Sequence, residues 1–148
     1  MRYSEDIGNK LNDILEKTYD AEKGYKDAAD RVDNPRLKSW FTEKAQERYD
    51  FGHQLKAEIQ SYGETPDKGG SVTGTLHRTW LNIKSVFGDT EERVIEEAIR
   101  GEKSSIEEYD EVLTETTLPD STRTLLRNQR NQIQTGLTKL EQLEAIHD

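Results

Sequence analysis

The chain has 148 residues, with 30 acidic against 21 basic side chains, a formal net charge of −9, and no cysteine. That length fits one ordinary domain covering 1–148, large enough to fold without staples, since a chain of this size buries roughly 68 to 70% of its unfolded surface. The missing thiols exclude disulfide scaffolds, thiolate metal sites and cysteine nucleophiles, and an acidic chain without a segregated basic run is not expected to bind nucleic acid.

The opening "MRYSEDIGNKLNDIL" carries charges where a secretory signal needs an apolar run, and no stretch approaches the ~20 apolar residues of a membrane span. A cytoplasmic protein without membrane contact is expected. Hydrophobic residues are only 31% of the chain, but they recur at helical spacing, which a disordered chain has no reason to keep.

Ser4 with Glu5 and Asp6 suits a helix start, because a hydroxyl and carboxylates satisfy free amides and oppose the dipole. The first helix is predicted over 4–32, with the stripe Ile7, Leu11, Ile14, Leu15, Thr18, Ala21, Tyr25, Ala28 and Val32. "DNP" then restarts the chain, with Asn34 able to cap and Pro35 suited to the first helical position. The second helix, 35–62, carries Leu37, Trp40, Phe41, Ala45, Arg48, Phe51, Leu55 and Ile59 and stops at Gly63.

"GETPDKGGSVTG" packs four glycines and a proline into twelve residues, which is loop chemistry. It lacks the preceding strand and lysine pattern of a phosphate loop, so it reads as a hinge. A short helix over 75–87 follows. Asp89 and Glu92 have capping-box spacing and open a helix over 89–117, with Val94, Ile95, Ala98, Glu102, Ser105, Ile106 and Tyr109 on its stripe. "LPDS" breaks it, and the last helix, 120–146, carries Leu125, Leu126, Gln129, Ile133, Leu137 and Leu140.

Four helices of this length are each ~40 Å long, and tight turns join them into two antiparallel hairpins. The expected fold is all-α: a four-helix bundle of ferritin-like topology, with the short helix 75–87 in one long crossover.

Each stripe is interrupted near its middle, at Glu22, at Glu47 and Arg48, at Glu102 and at Gln129. A buried carboxylate without a partner costs several kcal/mol, so these side chains must satisfy one another or a ligand. In bundles, inward carboxylates at mid-length hold paired metal ions, one Glu from each of two helices and Glu-x-x-His from the other two. Here Glu22 and Glu102 are the lone carboxylates, helix two offers Glu47 and Asp50, and the last helix offers Gln129 and Gln132.

Two readings follow from the residues. In one, Glu22, Glu47, Asp50 and Glu102 form an oxygen-rich site for an iron, manganese or zinc ion; in the other, Arg48 neutralises the carboxylates and the glutamines fill the remaining hydrogen bonds. A fixed guanidinium beside the carboxylates leaves room for at most one divalent ion. Tyr25, Tyr49 and Tyr109 lie near this level, while His53 and His77 have no ligand spacing and are read as surface and anchoring residues. No Ser/His/Asp nucleophilic set can be argued from spacing.

The strings "LNDILEKTYDAEKGY", "NPRLKSWF", "ERYDF", "GGSVTGTLHRTW" and "RGEKSSIEEYDEVL" together resemble a bacterial domain-of-unknown-function family of ferritin-like four-helix bundles. The resemblance spans nearly the whole chain. It implies the fold and a distant relation to rubrerythrins and ferritins, in which Glu22 and Glu102 correspond to ligands, and it implies no established activity. Asp50, Gln129 and Gln132 depart from that ligand pattern. Three functions are therefore expected to compete: a binding or stress-associated bundle with a degenerate carboxylate layer, a metal-dependent oxidoreductase, and a metal-free scaffold that packs against copies of itself or a partner.

Overall fold

The computed structural model describes residues 3–67, 91–115 and 117–147. The predicted crossover helix, His77, most of the glycine-rich loop and the Asp89 cap lie outside the described residues. Within them the chain forms four helices and no strand: α1 (Tyr3–Arg31), α2 (Pro35–Ser61), α3 (Glu91–Glu115) and α4 (Asp120–His147).

Local chemistry sets the turns. Asn34, in extended conformation, accepts from the Arg36 amide at 2.9 Å and the Leu37 amide at 3.2 Å, and Pro35 occupies the first turn. Two otherwise orphaned amides are satisfied, and proline's missing amide is one that no carbonyl would have met. At the other end of α2, Gly63 adopts φ +78 and donates to the Gln60 carbonyl at 2.9 Å, a left-handed stop that a side chain would strain.

The ends of the helices fix the topology. The amides of Asp33 and Asn34 donate to Glu91 at 2.5 and 3.0 Å, so the α1–α2 turn lies at the start of α3. Tyr62 bonds to Thr122, and Ser121 donates to Glu58 at 3.1 Å, so the end of α2 meets the start of α4. The helices therefore run up, down, down, up, with α2 ending and α3 beginning at opposite ends of the bundle, as one long crossover requires. The α1–α2 and α3–α4 hairpins face each other through α1 with α3 and α2 with α4.

The core has two apolar halves. One, toward the α1–α2 turn, is aromatic and small: Tyr25, Trp40 and Phe41 among Ala21, Ala28, Ala45 and Ala98. The other is aliphatic, built from Ile7, Leu11, Leu15, Leu55, Ile59, Leu126 and Ile133. On α2 the boundary falls between Ala45 and Phe51, and on α3 between Ala98 and Ile106. Arg48 and Glu102 sit in those gaps.

Candidate functional site

Arg48 and Glu102 are both inside the bundle, 2% and 0% exposed. They come from diagonal helices, and the guanidinium grips the carboxylate as a fork: Nη2 to Oε1 is 2.5 Å and Nη1 to Oε2 is 3.4 Å. Nη2 also reaches the Ser105 hydroxyl at 3.5 Å. The guanidinium carbon lies 5.6 Å from the centre of the Tyr25 ring and 5.8 Å from that of Phe51, close enough for the rings to share in holding the charge. Burial alone would lower the proton affinity of Arg48, but Glu102 beside it raises it, and the cation is fixed. Burial, then Glu102, push the Tyr25 hydroxyl well above its ordinary range, so it stays a neutral phenol.

Glu47 stands at the edge of this pair. Its Oε2 accepts from Lys44 at 3.0 Å, while its Oε1 is 3.8 Å from Arg48 Nη1 and accepts no hydrogen bond from the described residues. Burial raises its pKa by more than Lys44 and Arg48 lower it. Lys44 reaches Glu47 by lying across Gly136 of α4, where an added methyl would come within 2.6 Å of the lysine Cε and Nζ.

A second polar group lies nearer the aliphatic half. The Tyr109 hydroxyl donates to Gln129 Oε1 at 2.7 Å, and Gln129 Nε2 donates to Gln54 at 2.9 Å and to the Phe51 carbonyl at 3.4 Å. Gln129 is therefore buried on neutral partners and does not contact Glu102 or Arg48 in this set of bonds.

The remaining candidate ligands point elsewhere. Glu22, on the edge of its stripe, pairs with Lys26 at 3.0 Å and lines a groove of about 530 Å³ between α1 and α2, with Ala29, Ala45 and Tyr49. Asp50 is exposed and accepts from Gln46 at 3.1 Å. It follows Arg48 by two residues, about 200° around the helix, which carries it to the opposite face. Gln132 is exposed in a shallow groove of about 430 Å³ with Lys44, Glu47 and Thr135. His53 is exposed, with its ring edge-on to Tyr49 at 4.6 Å.

A two-metal centre needs several carboxylate or imidazole donors converging on one space. Among the described residues, no three His, Asp or Glu side chains do so. Both oxygens of Glu102 are engaged by a guanidinium, and Glu22, Glu47 and Asp50 face three different surroundings. These residues do not converge as a paired-metal site requires: Arg48 and Glu102 form a closed ion pair, and Glu47, partly exposed, stands at its edge in the groove that Gln132 also lines. Lys44 and Gly136 beside Glu47, and Gln54 beside Gln129, have no part in the sequence-based reading. Lys44 had a signal in its three-residue spacing from Glu47, and Gly136 in being a glycine inside a helix, whereas nothing in the sequence singles out Gln54.

The fold is shared with a solved structure, a point mutant of Dps1 from Mycobacterium smegmatis, at a TM-score of 0.81 over 96% of this chain and 97% of that one, with 15% sequence identity. No curated protein matches the chain. A model of the family described as "Domain of unknown function (DUF2383)" matches residues 6–115.

Proposed function

The chain belongs to the DUF2383 family, a ferritin-like four-helix bundle of unknown function, and from that premise we propose that it is a non-enzymatic bundle whose polar layer is closed by its own Arg48 and which works through its surface as a scaffold. The observation that carries this reading is the fork from Arg48 to Glu102 at 2.5 and 3.4 Å. A guanidinium supplies the positive charge that inward carboxylates otherwise take from a metal ion. The net charge of −9 supports partners other than nucleic acid, and the cysteine-free, charged sequence supports a place in the bacterial cytoplasm. Among the described residues no helix is long and apolar enough to cross a membrane.

A second reading keeps one divalent ion at the edge of the layer. Its support is Glu47 Oε1, which accepts no hydrogen bond from the described residues. Titration with Mn2+, Fe2+ and Zn2+, followed by calorimetry and melting temperature, separates the two. The closed-layer reading expects no saturable heat and no ion-dependent rise in Tm, since an ion that binds only the folded state must raise it. A rise that disappears in Glu47→Gln or Glu102→Gln would establish the ion and remove the closed-layer reading.

A further inference from the structure

Beyond Gly63 the chain turns back along α1, and positions 8, 12, 16 and 19 of that helix, which share one face, receive it. Gly8 leaves room for Glu64, since an added methyl there would come within 2.6 Å of the Glu64 Cγ. Asn12 pairs with the backbone as a neighbouring strand would: its Nδ2 donates to the Thr65 carbonyl at 3.1 Å and its Oδ1 accepts from the Asp67 amide at 2.8 Å. The Tyr19 hydroxyl donates to the Asp67 carbonyl at 3.2 Å. Glu16 stands between Asn12 and Tyr19 on this face, so Asp67, bonded to both, is held over it.

Glu16 and Asp67 are each half-buried, and neither forms an ion pair with the described residues. Asp13 and Asp20 flank Glu16 on α1, and Glu64 precedes Asp67 on the same short stretch. From α2 the charge on this side is Lys56, whose Nζ lies 5.3 Å from the centre of the Tyr19 ring. Lys17, the basic neighbour on α1, pairs with Glu108 of α3. Burial, then the charges of Asp67, Asp13 and Asp20, raise the Glu16 pKa above its ordinary value.

We propose that residues 64–67 are a pH-sensitive strap: a proton shared by the Glu16 and Asp67 carboxyls holds the start of the crossover on α1 in acid, and its loss loosens the strap. The proton sits on Glu16, whose O–H donates to the Asp67 carboxylate, and it leaves to water as pH rises. Two carboxylates then face each other beside Asp13 and Asp20, and like charges at close range repel. Because the attached strap holds the proton more tightly than the loose one, attachment is strongest in acid and weakens as pH rises through the Glu16 titration.

NMR of the full chain tests this through the Glu16 carboxyl carbon and the exchange protection of the Asp67 amide, each amide rate being referred to its intrinsic rate at that pH. Glu16 should titrate above the ordinary carboxylate value, and Asp67 protection should fall roughly threefold to tenfold between about pH 4 and pH 7. Glu16→Gln, whose amide can still donate to Asp67, should keep that protection level. Asn12→Ala frees the strap without touching either carboxyl, so Glu16 should return toward its ordinary value with circular dichroism unchanged, and Asp67→Asn should do the same. A Glu16 titration that stays high in either variant would mean that α1 alone holds the proton. A protection that does not fall with pH would leave the strap to the Asn12 and Tyr19 bonds, and a fall that persists in Glu16→Gln would belong to another group. Any of these three outcomes overturns the proposal.

Discussion

The two polar groups inside the bundle are close neighbours built on opposite principles. Glu102 and Tyr109 are seven residues apart on α3, about 10 Å along the axis. The first group is a charged pair, Arg48 with Glu102 at 2.5 Å, with Glu47 farther off at 3.8 Å from the guanidinium. The second is a neutral chain, Tyr109 to Gln129 to Gln54, in which each bond is an ordinary one. Two desolvated charges are tolerable only together, whereas a neutral hydroxyl or amide loses one hydrogen bond at a time. The charged group links the diagonal helices α2 and α3, and the neutral group joins α3, α4 and α2.

Breaking one half of each group should expose that difference. Arg48→Ala leaves Glu102 charged and fully buried, and should lower stability by about 3 to 5 kcal/mol in urea unfolding. Replacing both partners, Arg48→Met with Glu102→Leu, should recover most of that loss, because the cost belongs to the orphaned charge. If the double variant is as unstable as the single one, packing of the guanidinium between Tyr25 and Phe51 matters more than its charge. Gln129→Leu should cost less, about 1 to 3 kcal/mol, since the groups it leaves without a partner, the Tyr109 hydroxyl and the oxygens of Gln54 and Phe51, are all neutral. Adding Tyr109→Phe to Gln129→Leu should return part of it, by the same logic on a smaller scale.

The four-helix architecture was legible because the stripes of apolar residues keep helical time and because "DNP", Gly63 and "LPDS" mark where they stop. The capping bonds of Asn34 and the positive φ of Gly63 are those stops in atomic form. The polar interruptions at Arg48, Glu102 and Gln129 were legible for the same reason, since a break in an apolar stripe is visible in one dimension. Which interruptions meet was not. Position along the axis follows from counting residues, but facing direction changes by about 100° per residue, so Glu22 and Asp50 share a depth with Glu102 and still turn toward other surroundings. Nor can spacing show that the carboxylate of Glu102 is reached from the diagonal helix, or that Gln54 rather than Arg48 satisfies Gln129.

Glu47 belongs to neither group completely, and its titration offers the finest test of where the charged one ends. In the unfolded chain it releases its proton at the ordinary carboxylate value. In the folded chain burial holds the proton to higher pH, against the opposing pull of Lys44 and Arg48. Between those two values the folded state binds more protons than the unfolded state, so stability should fall as pH rises through the window and stay lower above it. Glu47→Gln removes that contribution, and the difference between wild type and variant, followed by urea unfolding from about pH 4 to pH 7, should carry the downward slope. A difference that instead rises with pH would mean that Lys44 at 3.0 Å outweighs burial, which would make Glu47 a full member of the charged layer rather than its partly exposed edge.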